Sequence, residues 1–177
     1  DTITEANMAI AMEEQGGFGI IHRFMTSKEQ ASEVQKVKET GSSKIGASIG
    51  VGEESKDRAG AVISAGANII TIDIAHGHSI HMLETIKWLK DTYSDVSVIA
   101  GNVASPEGTL DLIEAGADAI KVGIGPGSMC TTRIITGCGV PQLTAVSLCS
   151  QVAREKNIPV IADGAIKSSG DIMKALA

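Results

Sequence analysis

Residues 123–133, GIGPGSMCTTR, gather a thiol, three hydroxyls and a run of glycines in one short stretch. Glycine at Gly123, Gly125 and Gly127 lets the backbone approach a ligand closely and turn its amides and carbonyls outward. Ser128 can donate to a phosphate oxygen, and Cys130 offers a sulfur nucleophile once its proton is lost. Composition alone is equally compatible with a glycine-rich loop around an incidental buried cysteine. Further polar or glycine residues follow short apolar runs: His22-Arg23, Gly50-Val51-Gly52, residues 73–79 (DIAHGHS), Gly101-Asn102 and Asp163-Gly164. His76 and His78, two apart in a loop with no acidic partner, read as loop-shaping or cofactor-adjacent rather than as a metal pair. Cys138 and Cys149 read as packed thiols.

The elements that must position these residues are legible from hydrophobic pattern. Apolar, β-branched runs predict strands over 18–21, 45–49, 69–74, 96–100, 119–124 and 160–162. Each is short and continuously apolar, as in a parallel sheet covered on both faces. Between them lie helix signals: Thr2 with Glu5 and Ser27 with Gln30 have capping-box spacing, and Ser105-Pro106-Glu107 marks a helix start. Ala31, Val34 and Val37 share one helix face, and Met82, Leu83, Ile86 and Leu89 another.

An internal repeat sharpens the reading. Residues 63–68 (ISAGAN) lead into IITIDIAHG, and 113–118 (IEAGAD) into AIKVGIGPG. In both, a glycine sits where a helix must end with a left-handed residue, and a buried strand follows. Two βα units per fifty residues is the pitch of a (β/α)₈ barrel of roughly 250 residues. The predicted class is therefore α/β, a TIM barrel of which this chain covers about six of eight βα units, with a doubly wound sheet as the alternative. The expected domain is a catalytic barrel over 1–177, incomplete at both ends. In such a barrel the residues just past each strand form the active site.

Bulk properties exclude other classes. The 177 residues are 43% hydrophobic, with a formal charge of -6 and a pI near 5.2. That balance argues against a general nucleic-acid or anionic-membrane binder, which needs clustered Lys and Arg. No stretch approaches the roughly 20 apolar residues of a membrane span. Three widely spaced cysteines without a CxxC suggest neither a disulfide framework nor zinc, and imply free thiols in a reducing, cytoplasmic setting.

GIGPGSMCTTR closely resembles the catalytic-cysteine loop of the IMP dehydrogenase and GMP reductase family. DTITEANMAIAM, GGFGIIHRFM, DIAHGHS, IAGNVAS, VPQLTAV and PVIADGAIKSSGD are similar to family segments in family order. The resemblance implies a purine nucleoside monophosphate substrate, NAD or NADP as cofactor and a homotetramer. It implies that Cys130 attacks C2 of the purine and that Thr132 handles the attacking or departing small molecule. Asp163 would grip both ribose hydroxyls, with Ser128, Gly164 and Ala165 at the phosphate; glycine is usual in the family where Ala165 stands. Asp73, Asn102, Gly123, Ile124 and Gly125 would face the cofactor. Carbonyls of Gly125, Gly127 and Cys130 would correspond to a potassium site.

The pair of regulatory domains common in dehydrogenases is absent, because residues 37–44 join the second helix directly to the next strand. That favours a reductase or one of a minority of dehydrogenases. DTITEANMAIAM, VPQLTAV and IPVIADGAIKSSGD look more like dehydrogenases; TIDIAHGHS, IHRFM and Thr136-Gly137 look more like reductases. The narrow preference is IMP dehydrogenase, with GMP reductase and a nucleotide-binding barrel without turnover as alternatives.

Overall fold

A computed structural model describes residues 2–177, an α/β chain in which six short parallel strands alternate with helices. Two compact units make it up. The first comprises the residues up to Asp73 together with Trp88–Val98, and the second comprises Ile74–Lys87 and Ile99–Ala177.

In the first unit, α1 (Ala6–Glu14), β1 (Ile20–Ile21), α2 (Ser27–Glu39), β2 (Gly46–Ile49), α3 (Glu53–Ala65) and β3 (Ile69–Asp73) follow one another. The strands lie in the order β1-β2-β3, parallel throughout, with Ile20 opposite Gly46 and Gly46 opposite Ile69. All four residues of β2 are buried, as expected of a strand covered on both faces. Val34 and Val37 of α2 are buried and supply its core-facing stripe.

The cap of α2 lies one residue earlier than the Ser27–Gln30 spacing suggests. Thr26 and Glu29 form the capping box, with Glu29 N donating to Thr26 Oγ1 (3.2 Å) and Thr26 N donating to Glu29 Oε2 (2.9 Å). Both frames satisfy the spacing, and Gln30 has other work. Its buried amide donates to Ile21 O (3.2 Å) and Ser48 O (2.8 Å), while its Oε1 accepts from Arg58 Nη1 (2.9 Å). The Thr2–Glu5 pair makes no box: Glu5 is itself the N-cap and its side chain makes no capping bond, and Ala6 N donates instead to Glu33 Oε2 (2.9 Å). Trp88 packs edge-on against Tyr93, with ring centroids 5.8 Å apart.

In the second unit, β4 (Ser97–Val103) contributes from Ile99 onward, followed by α5 (Pro106–Glu114), β5 (Ala119–Val122), α6 (Thr132–Thr136), α7 (Gln142–Glu155), β6 (Val160–Ala162) and α8 (Ser169–Leu176). Here the order is β4-β5-β6, again parallel. Ser105 caps α5 as its sequence indicates, accepting from Gly108 N (3.1 Å), with Pro106 in the first turn. Met82 and Ile86 of α4 (Ile80–Thr92), with Leu112, Ile120 and Cys149, are fully buried.

The repeat is realised in both units, with φ at Gly66 and Gly116 of +123° and +109° and β3 and β5 following closely. All six predicted strands are present, β6 with the ends expected and the other five with at least one end shifted. The largest difference is β4, which continues through Gly101 and Asn102 to Val103 with a register shift at that point. Consecutive parallel strands joined by helices form the local pattern of a (β/α)₈ barrel. No helix among the described residues is long and apolar enough to cross a membrane.

Candidate functional site

Cys130 lies on the exposed segment between β5 and α6, two residues before Thr132, which opens α6. Cys130 Sγ is 3.2 Å from Thr132 Oγ1, and Cys130 N closes a turn onto Gly127 O (3.2 Å). Hydrogen bonds from the Thr132 hydroxyl and amide hold the thiol below the ordinary cysteine range. The Gly125 amide and the charge of Arg133 add to this. The thiol is thus both accessible and biased toward the thiolate, the nucleophilic form. Cys149 is the opposite case: burial pushes its thiol up. Cys138, expected to be packed, is exposed, because it follows the left-handed Gly137 that ends α6 and its amide bonds Thr136 Oγ1 (3.1 Å).

Asp163 follows β6 and sits in a polar cluster built from three strands. Its Oδ2 accepts from Asn102 Nδ2 (2.8 Å) and from Lys121 Nζ (2.5 Å), and Lys121 also donates to Asn102 Oδ1 (2.5 Å). Asn102 Nδ2 further donates to Gly123 O (2.8 Å). Asn102 reaches this position at the register shift in β4, where the irregularity re-aims a side chain beside the strand end. Burial raises the Asp163 carboxyl. The Lys121 charge, with hydrogen bonds from Asn102 and Lys121, more than reverses this, and the group lies below the usual aspartate value.

The loop before Cys130 is fastened to the same cluster. Gly123 has φ +149°, and a Cβ there would fall 2.2 Å from Asp163 O, so glycine alone fits. Gln142, at the start of α7, donates through Nε2 to Val122 O (2.9 Å) and Asp163 O (3.1 Å), while its buried Oε1 has no partner. Gly164 lies beside Pro126 and Gly127, so the loop after β6 meets the loop before Cys130, and Ser128 is exposed next along that loop. Ala165 adopts φ +61°, a left-handed conformation that costs an L-residue roughly 1–2 kcal/mol and that glycine takes freely.

Asn102, expected on the cofactor side, is thus bonded directly to Asp163, while Ile124 accepts through its carbonyl from Val140 N (3.1 Å). Asp73 belongs to the first unit, where its carbonyl accepts from Arg23 Nη2 (3.3 Å). His78 does have an acidic partner, Asp111 at 2.7 Å, supplied by α5 rather than by its own loop. No group of three His, Cys, Asp or Glu suited to a metal occurs among the described residues. Sequence reasoning missed Lys121 and Gln142. The signal for Lys121 was a lone cation in the apolar run AIKV; for Gln142 there was none beyond its place at a helix start.

Comparison with known proteins identifies the family. The profile described as "IMP dehydrogenase / GMP reductase domain" matches residues 1–177. The chain is 58% identical over 139 residues to an inosine-5'-monophosphate dehydrogenase of Aquifex aeolicus, covering 78% of this chain and 28% of that protein. It is 43% identical over 219 aligned positions to one of Cryptosporidium parvum, covering 100% of this chain and 54% of that protein. It is 56% identical over 133 residues to one of Halalkalibacterium halodurans, covering 75% of this chain and 27% of that protein. The chain therefore spans about half the length, or less, of these relatives.

Proposed function

Because the chain belongs to the IMP dehydrogenase / GMP reductase family, we propose that the protein containing it is an IMP dehydrogenase, converting IMP, NAD and water into XMP and NADH. The observation that carries the reading is an exposed, readily ionised Cys130 on the loop that is fastened to the Asp163 cluster. The dehydrogenase direction is favoured by the names of the relatives.

The chemistry follows from these groups. The Cys130 thiolate attacks C2 of the hypoxanthine, and the C2 hydrogen departs as hydride, leaving a covalent thioimidate on sulfur. Water then adds at C2 and the carbon–sulfur bond breaks, returning the thiol. Thr132, within hydrogen-bonding distance of sulfur, would orient that water. Asp163 takes the ribose hydroxyls, and Ser128 with the amides of Gly164 and Ala165 takes the phosphate.

Gly123, Ile124 and Gly125 would face the flat ring as the resemblance implies, and a side chain at Gly123 would collide with the neighbouring strand end. With Asn102, these residues would hold the nicotinamide cofactor, which accepts the hydride when bound. Asp73 keeps the cofactor-ribose role that the resemblance implies. Carbonyls of Gly125, Gly127 and Cys130 would supply part of the oxygen donor set of a potassium ion, the rest coming from residues outside this chain, and Gly127 O retains a lone pair beyond its bond to Cys130 N. A cytoplasmic homotetramer accompanies the reading.

Assaying the full-length protein with IMP plus NAD and with GMP plus NADPH, side by side, tests it. The expected result is IMP-dependent NADH formation that disappears in Cys130→Ser while IMP still binds. NADPH consumption with GMP alone would make the protein a reductase, and nucleotide binding with neither reaction would make it a binding barrel.

A further inference from the structure

Lys121 has no role in the reaction just described, yet its placement is unusual. Its neighbours in β5, Ile120 and Val122, are fully buried, and its own side chain is 11% exposed. A cation withdrawn from water this far is costly unless its charge and protons are met. Asn102 Oδ1 and Asp163 Oδ2 meet them, each at 2.5 Å.

The two contacts have separate consequences. By donating to Asn102 Oδ1, Lys121 fixes which way round the amide lies. The Nδ2 group must then face Gly123 O and Asp163 Oδ2. By donating to Asp163 Oδ2 alongside Asn102, Lys121 pins one oxygen of the carboxylate from two directions. Among the described residues no hydrogen bond reaches Oδ1, and the Asp163 side chain is 44% exposed. The carboxylate is therefore ionised, held in one orientation, and has one oxygen that no protein hydrogen bond occupies among the described residues.

We infer that Lys121 is a positioning residue for nucleotide recognition: by anchoring Asp163 Oδ2 and orienting Asn102, it presents Asp163 Oδ1 to the sugar and sets the preference for a ribose bearing both hydroxyls. The inference rests on the reading of Asp163 as the ribose-binding carboxylate. Lys121 touches neither the reacting carbon nor the thiol in this account, and acts through Asp163. Losing the ammonium would leave the carboxylate freer to rotate and to take up a proton, so that a vicinal diol would no longer find Oδ1 as a fixed acceptor.

The test uses the full-length protein and calorimetric titration with IMP and with 2'-deoxy-IMP. Wild-type protein should prefer the ribonucleotide by about 10- to 100-fold, the worth of one hydrogen bond to a charged group. Lys121→Met, similar in shape but uncharged, should lose most of that preference and bind IMP at least about tenfold more weakly. Lys121→Arg should keep the preference, which a merely space-filling role would not distinguish from Met. If thermal melting shows that Lys121→Met does not fold, Lys121→Gln carries the same expectation. An unchanged ribo-to-deoxy ratio in the folded neutral variant would overturn the inference. Asp163→Ala separates the two layers: if it weakens IMP binding while the neutral Lys121 variant does not alter the ratio, only the role of Lys121 fails. If Asp163→Ala binds IMP normally, the ribose assignment itself fails.

Discussion

At the scale of single residues, Cys130 draws its reactivity from Thr132 more than from any other group. Thr132→Val removes the hydroxyl and keeps the volume, so the thiol should ionise at higher pH. Alkylation of Cys130 by iodoacetamide, followed against pH by mass-spectrometric mapping, should show its inflection displaced to the alkaline side. No displacement would mean that the Thr132 hydroxyl does not support the thiolate. Mapping is required because Cys138 is exposed too. Cys130 was legible in the sequence because its loop has a distinctive succession of residue types. Lys121 was not, because a lysine in a short apolar strand is indistinguishable, from sequence, from one whose stem packs and whose head reaches solvent. Only the fold shows that Asn102 and Asp163 stand opposite it. Ala165 was legible as a departure, and its left-handed backbone gives the physical reason that glycine suits that position.

Among the elements, α5 stands between the register shift of β4 and the strand that carries Lys121, so its docking bears on the site. Its N-terminus is held by the Ser105 hydroxyl on Gly108 N. Ser105→Ala should cost about 1 kcal/mol of stability, the usual worth of such a cap, measurable as a lower urea midpoint with unchanged slope. An unchanged midpoint would show that Pro106 alone fixes the helix start. Strand existence was readable from the apolar runs, whereas only some strand ends were, those of β6 among them. The predicted end of β4 at residue 100 rested on loss of hydrophobicity at Gly101-Asn102, yet the backbone carries on pairing through a bulge. Polar side chains at such a place come from the site's needs, and periodicity cannot anticipate them. The α2 cap was misframed for a different reason: Thr26–Glu29 and Ser27–Gln30 are both valid spacings, and burial of Gln30 decides between them.

For the molecule as a whole, the parallel α/β class was legible because helix and strand signals alternate, and because the repeat ends each helix with the same glycine. Global stability should carry a signature of the Asp163 cluster. The folded carboxyl lies below its ordinary value. It therefore contributes stability that is fully present above the unfolded aspartate pKa of about 3.9, and that is lost as pH falls through the lower folded value. Urea midpoints from neutral pH downward should show wild-type protein more stable than Asp163→Asn near neutrality, with the gap narrowing through that acid window. A gap that stays constant would contradict it. Trp88, the single tryptophan, lies in the first unit against Tyr93, whereas Cys149 is buried in the second. Intrinsic fluorescence therefore reports from one unit and protection of the Cys149 sulfur from a colorimetric thiol reagent reports from the other. The chain carries two native reporters, and superimposing their denaturation curves, with the reaction of the exposed Cys130 and Cys138 subtracted, reveals directly whether the two units melt in one step or in succession.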